Sequence, residues 1–190
     1  MRRLLFALGV LLALSAATAQ AQAEKRIIFD AYGAFVMPTG DYGEGFKGSP
    51  GFGAALGYYV TPAIMITGNF NWGFMKGKIG LGGTTVDQDV MNFFATLGYD
   101  FLAAERNMAL AGFLGGGVQM FKSKIAGGAL DGDSKSYPTV NAGFTFNYWF
   151  TSLIGLVLQT GVTYAITKEA DFGMNSAITL PQAAGVSLKF

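Results

Sequence analysis

Ile64-Met65-Ile66-Thr67-Gly68-Asn69-Phe70-Asn71-Trp72-Gly73-Phe74 decides the fold. Every second residue, from Ile64 to Phe74, is apolar or glycine, while Met65, Thr67, Asn69, Asn71 and Gly73 make the other face largely polar or small. A period of two is the period of a β-strand, whose side chains alternate between faces. The same alternation recurs where Pro138, Val140, Ala142, Phe144, Phe146, Tyr148 and Phe150 oppose Thr139, Asn141, Gly143, Thr145 and Asn147. It closes the chain as well, with Ile178, Leu180, Ala184, Val186, Leu188 and Phe190 set against Ala177, Thr179, Gly185, Ser187 and Lys189.

Reading outward from these stretches, eight strands are expected at about 27–37, 51–60, 63–75, 89–102, 107–121, 137–150, 153–167 and 177–190. Their connections alternate in length. Thr61-Pro62, Ala103 to Arg106 and Thr151-Ser152 are tight, whereas 38–50, 76–88, 122–136 and 168–176 are long, polar and rich in glycine. Charge collects in the long loops, and the greasy faces carry almost none. A soluble sandwich would hide those faces against a second sheet and carry more surface charge. A sheet placed in hydrocarbon must instead close on itself, because its backbone groups find no water there. An even number of antiparallel strands of ~10 residues, greasy on the outside, meets that condition. Aromatic residues also fall into two bands. Phe29, Tyr58, Tyr99, Phe101, Tyr148, Phe150 and Phe190 lie toward the short turns, and Phe35, Phe52, Trp72, Phe74, Phe93 and Tyr164 toward the long loops. Such bands mark the two interfaces of a membrane barrel. The expected fold class is therefore all-β, an eight-stranded antiparallel transmembrane up-and-down β-barrel.

Residues 1–23 read as a secretory signal peptide rather than as part of that barrel. Arg2 and Arg3 form a basic start, Leu4 to Leu14 are apolar, and Ala21-Gln22-Ala23 offers a small-x-small cleavage site. The apolar run is shorter than the ~20 residues of a membrane-spanning helix. General secretion is favoured over twin-arginine export, since no cofactor motif follows. The barrel domain is then 24–190. Across 190 residues, 51% are hydrophobic, 13% are charged, and the net charge is +1, without the basic excess that nucleic-acid binding requires. With no cysteine and no histidine, disulfides, thiolate metal sites and imidazole acid-base chemistry are excluded. No cofactor is expected.

Pro38-Thr39-Gly40-Asp41 after the first strand, Gly51-Phe52-Gly53 running into Gly57-Tyr58-Tyr59-Val60-Thr61-Pro62, and the terminal Gly185-Val186-Ser187-Leu188-Lys189-Phe190 resemble the small eight-stranded outer-membrane barrel superfamily of Gram-negative bacteria, the OmpA/OmpX-like group and the outer membrane protein beta-barrel domain family. The resemblance covers residues 24–190. It implies residence in the outer membrane, contact with its lipid and lipopolysaccharide, and passage through the general secretion and barrel assembly machineries. It also implies that Gly185, Leu188 and Phe190 form a C-terminal assembly signal. The superfamily hosts adhesins, structural proteins, narrow pores and a few lipid-modifying enzymes, so fold alone does not choose among them. The enzymes of such barrels generally use a histidine, which argues against an enzyme here.

Within the barrel, Asp30, Asp100 and Lys189 are expected to point into the lumen near the short turns. A buried carboxylate needs a partner, which Lys189, Tyr59 or Asn147 can supply. A structural ion pair is the favoured reading, with a proton or ion relay as the alternative. Phe113, Phe121 and Trp149 are expected to plug the lumen, together with Tyr32, Tyr59, Phe94 and Tyr137, against inward glycines such as Gly53, Gly117, Gly143 and Gly155. Eight strands leave just enough interior for side chains to fill. Asp131-Gly132-Asp133-Ser134 spaces two carboxylates as some calcium loops do, but lacks a full ligand set, and a solvated turn is favoured. Lys47, Lys76, Lys78, Lys122, Lys124, Lys135 and Lys168 lie on the long-loop side, within reach of lipopolysaccharide phosphates or simply of water. The expectation is a monomeric barrel with a structural or surface-interaction, adhesin-like role. The alternative is a narrow porin-like channel for small or amphipathic solutes.

Overall fold

The computed structural model describes residues 26–190, except 79, 82–83, 104–106, 126–130 and 169–174. The expected signal peptide lies outside the described residues. Eight long antiparallel strands form the wall: β1 (Ile27–Thr39), β3 (Ser49–Tyr59), β4 (Ile64–Gly77), β6 (Thr84–Asp100), β7 (Met108–Ile125), β8 (Asp131–Trp149), β9 (Ile154–Ile166) and β10 (Ser176–Lys189). Each pairs with its successor, and β1 pairs with both β3 and β10, so the sheet closes. The seam runs from Ile28 opposite Lys189 to Thr39 opposite Ile178. Below it, Ile27 and Phe190 exchange backbone hydrogen bonds of 3.1 and 2.8 Å. Closure leaves no strand edge around the wall, as hydrocarbon demands.

The faces follow the alternation of the sequence. Leu56, Leu97, Leu114 and Phe144 point outward and are more than half exposed, while their neighbours Ala55, Thr96, Gly115 and Thr145 turn inward. That apolar exterior is the surface a closed barrel presents to lipid. On it, Phe52, Trp72 and Phe74 stack with ring centroids 5.4–6.1 Å apart. At the opposite end Tyr99 meets Phe101, and Tyr148 meets Phe150.

The short turns are closed by side-chain oxygens. Thr61 Oγ1 accepts from the backbone N–H groups of Ala63 and Ile64, and Thr151 Oγ1 does the same for Leu153 and Ile154. Asp100 Oδ1 accepts from Leu102 and Leu110. Such local bonds satisfy backbone groups that leave the ladder where the chain reverses.

The structure corrects three of the expected loops. The described parts of 76–88 and 122–136 are largely strand, because β6, β7 and β8 continue for 17, 18 and 19 residues against the ~10 that a membrane requires. Beyond the lipid a strand no longer needs an apolar exterior, so outward Asp87, Lys122 and Lys124 look like loop in the sequence. The stretch 38–50 is also ordered. It contains the end of β1, a six-residue helix α1 (Gly40–Gly45), and a short β2 (Phe46–Lys47) paired with β4. A further two-residue strand, β5 (Gly80–Leu81), pairs with β6.

Candidate functional site

The inward side chains form three groups along the lumen. At the short-turn end Ile28, Tyr59, Met65, Ala109 and Trp149 pack together. The Lys189 ammonium stands 4.4 Å from the centre of the Trp149 ring, a cation–π contact. Asp100, almost fully buried, receives the Tyr59 hydroxyl at 3.0 Å as well as its two backbone donors. Asn147 donates to Asp30 at 3.2 Å and to Ser187 at 2.9 Å. Buried Asp100 and half-buried Asp30 thus both have donors, which offset the cost of removing them from water. Asp30, Asp100 and Lys189 all belong to this end of the barrel.

In the middle, Tyr32, Ala55 and Val157 pack against Ala183, and Tyr32 donates to Asn71 at 2.9 Å. Two cavities of about 20 Å³ each share Ala34, Asn71, Thr163 and Pro181 in their walls. Phe94 and Phe113 border one of them. In this measure a water needs roughly 10–15 Å³, so each cavity is about the size of one water. The large rings face glycines across the ladder: Tyr32 opposite Gly53 and Gly185, Phe94 opposite Gly117, Phe113 opposite Gly143, and Trp149 opposite Gly155.

At the long-loop end Tyr42, Met75, Val90, Phe121, Tyr137, Ala165 and Ala177 form a third cluster, flanked by Val36 and Phe46. Tyr42 belongs to α1 rather than to the wall. It turns back into the barrel mouth, is 2% exposed, and donates its hydroxyl to Gln88 Oε1 at 2.6 Å. Its ring meets Phe46 at 4.9 Å and the edge of Phe121 at 6.0 Å. Burial pushes the Tyr42 hydroxyl well above the usual tyrosine range, so it remains a donor. Sequence reading missed this residue. The available signal was a lone aromatic among glycines in Gly40-Asp41-Tyr42-Gly43, which has no helical period.

The three expected plug residues therefore lie at different depths: Trp149 near the short turns, Phe113 in the middle, and Phe121 beneath Tyr42. Of the assembly-signal residues, Gly185 sits beside Tyr32, while Leu188 and Phe190 belong to the outward face, with Phe190 exposed. Among the long-loop lysines, Lys76 pairs with Asp87 at 2.6 Å, Lys124 pairs with Asp89 at 2.5 Å, and Lys78 donates to the Gly43 carbonyl at 2.6 Å. The side chains of Asp131 and Asp133 lie outside the described residues. Among the described residues no group of three acidic side chains converges as a metal site would require.

No protein-family model matches the sequence, and no curated protein matches it. Solved structures do match the fold, small outer-membrane β-barrels among them. OprG from Pseudomonas aeruginosa aligns with a TM-score of 0.60 at 13% identity, over 90% of this chain and 98% of that one. Neisserial surface protein A aligns at 0.58 and 16%, over 86% and 97%. Ail, the attachment invasion locus protein of Yersinia pestis, in complex with the heparin analogue sucrose octasulfate, aligns at 0.57 and 15%, over 88% and 99%. The chain thus has the fold of the small eight-stranded outer-membrane barrels. Identities this low carry the fold and not the role of any neighbour.

Proposed function

We propose that the protein is a monomeric outer-membrane barrel of a Gram-negative bacterium with a closed lumen and a structural or surface-interaction, adhesin-like role. The observation that carries this reading is the stacked filling of the interior: Trp149, Tyr59 and Met65 at one end, Tyr32, Phe94 and Phe113 in the middle, and Phe121, Tyr137 and the inserted Tyr42 at the other. The two cavities among the described residues, about 20 Å³ each, suit an interior that holds the wall together rather than one that passes solutes. Recognition then falls to the long-loop side, where β6, β7 and β8 project past the membrane. One neighbour there is called an attachment invasion locus protein and another a surface protein, which fits an adhesin-like role.

The apolar outer wall makes membrane lipid the first partner, and lysines at the projecting end suit the phosphates of lipopolysaccharide. The sequence reading of 1–23 as a leader and of Gly185, Leu188 and Phe190 as an assembly signal supports passage through general secretion and the barrel assembly machinery. Purified protein in planar bilayers tests the reading. The expected result is no steady single-channel conductance. Reproducible steps would overturn it in favour of a narrow channel for small solutes.

A further inference from the structure

Tyr42 occupies a pocket that it does not help to build. Most of its walls come from the barrel strands, Met75 on β4, Val90 on β6, Phe121 on β7 and Tyr137 on β8, and Phe46 of β2, four residues beyond Tyr42, closes one side with its ring 4.9 Å away. At the polar end, Gln88 is 1% exposed, and its Nε2 faces Ser123 Oγ at 3.4 Å while its Oε1 receives the Tyr42 hydroxyl. An apolar slot with one oriented, buried amide is the chemistry that recognises a flat ring bearing a hydroxyl.

The occupant is lightly held by its own segment. Helix α1 has six residues, lacks a side-chain cap at Thr39, and contains three glycines, with Gly40 in the left-handed region at φ +59°. A helix this short has no independent stability. Its ends are fixed by the ladder, at Thr39 opposite Ile178 and at Phe46 opposite Gly77, and between them Lys78 secures it through hydrogen bonds to the Gly45 and Gly43 carbonyls of 2.8 and 2.6 Å.

We propose that the long-loop mouth is a binding pocket for a small hydroxylated aromatic, and that Tyr42 fills it as a tethered internal ligand on a hinged lid. The pocket lies toward the loops from Phe113, eight residues along β7 from Phe121, so it needs no path through the barrel. A ligand on a short tether competes at an effective concentration in the millimolar range, and a free phenol displaces it on that scale or below. A ring without the hydroxyl leaves the Gln88 oxygen unpaired, which weakens binding by roughly tenfold or more.

The test uses full-length protein in nanodiscs and p-cresol, the tyrosine side chain as a free molecule, with toluene as the control. The chain has no cysteine, so Asp41→Cys takes a single spin label on the exposed side of α1. Saturable mobilisation of that label by p-cresol in the otherwise unaltered barrel, with toluene at least tenfold weaker, is the expected result. A companion Tyr42→Gly barrel should bind p-cresol more tightly, and adding Gln88→Leu should erase its preference over toluene. The proposal is overturned if the label on the Tyr42 barrel stays immobile at saturating p-cresol, or if p-cresol and toluene act alike. The label on the Tyr42 barrel decides the matter even if Tyr42→Gly does not fold.

Discussion

Phe113 stands across the β7–β8 ladder from Gly143, with the tip of its ring 2.8 Å from where a Cβ on Gly143 would lie. The same relationship recurs around the lumen. A Cβ on Gly185 would fall 2.7 Å from the Tyr32 Cβ, one on Gly117 2.6 Å from the Phe94 Cβ, and one on Gly155 2.8 Å from the Trp149 ring. Large and small residues are thus paired laterally, and an interior this narrow is filled by rings that lie over bare backbone.

A glycine that lies against a facing strand and ring, such as inward Gly185, and one in open space, such as outward Gly68, are therefore expected to respond oppositely to a methyl group. In Gly185→Ala the new Cβ would sit 2.0 Å from the Ala31 carbonyl oxygen, so strand or ring must shift, at a cost of about 1–3 kcal/mol. In Gly68→Ala the Cβ meets nothing within 4 Å and removes a glycine from a strand, which stabilises by roughly 0.5–1 kcal/mol. Urea unfolding in lipid vesicles, read by tryptophan fluorescence, measures both. Equal effects at the two positions would mean that the lumen yields more readily than its packing implies.

Conductance separates the three layers of the filling. Because Trp149, Tyr59 and Met65 remain packed at the short-turn end, Phe113→Ala combined with Phe121→Ala should stay silent in planar bilayers. Adding Trp149→Ala removes the largest ring of the remaining layer and should open a leak. Current from the double variant would show that the short-turn layer does not seal. Silence from the triple variant would place the barrier in the Asp30, Asn147 and Asp100 network instead.

The unlike ends set the orientation. Asp131 begins a strand that projects on the long side, and Ser152 lies in a tight turn at the other end. Asp131→Cys should react with an impermeant maleimide on intact cells, and Ser152→Cys only after the outer membrane is permeabilised. Reaction at position 152 alone would invert the barrel.

How much of this is legible in the sequence depends on what the membrane enforces. Within the lipid, period two is obligatory, and strands such as Ile64–Gly77 and Ile154–Ile166 begin and end within a residue or two of their expected positions. The inward placement of Phe113, Trp149 and Asp100 follows from the same alternation. Outside the lipid the constraint lapses. Lys122 and Lys124 can point outward from a strand there, so the ends of β6, β7 and β8 were not legible. Helix α1 was hidden for another reason: half of its residues are glycine, and apart from nearby Val36 and Phe46 the cluster that its single apolar side chain joins comes from distant strands such as β4, β6 and β7.

Removing Phe190 tests the assembly reading. It deletes an outward aromatic and both backbone bonds that join the chain end to Ile27. The expected outcome is a marked loss of heat-modifiable barrel from outer membranes and accumulation of degraded protein in the periplasm. Phe190→Tyr, which keeps an aromatic and the backbone bonds, should assemble normally. Full assembly of the deletion would reduce Phe190 to a packing residue.

The lid should open in alkali, and the sign follows from Tyr42. Its hydroxyl is buried against Gln88 when the lid is closed, which raises its pKa well above the value of about 10 that a solvated tyrosine shows. A raised acid pKa means that the closed state holds the proton more tightly than the open one. Closure is therefore independent of pH below about 10 and weakens above it, by up to tenfold for each further unit. A spin label on Asp41→Cys should stay immobile from pH 7 to about 10 and gain mobility toward pH 12. Tyr42→Phe keeps the ring but cannot ionise, so its label should show no such step. Other tyrosines ionise in the same range, and this variant isolates the contribution of Tyr42. Mobility that rises equally in both proteins would assign the transition to the rest of the barrel, and a label that is mobile already at pH 7 would show that α1 does not close the mouth.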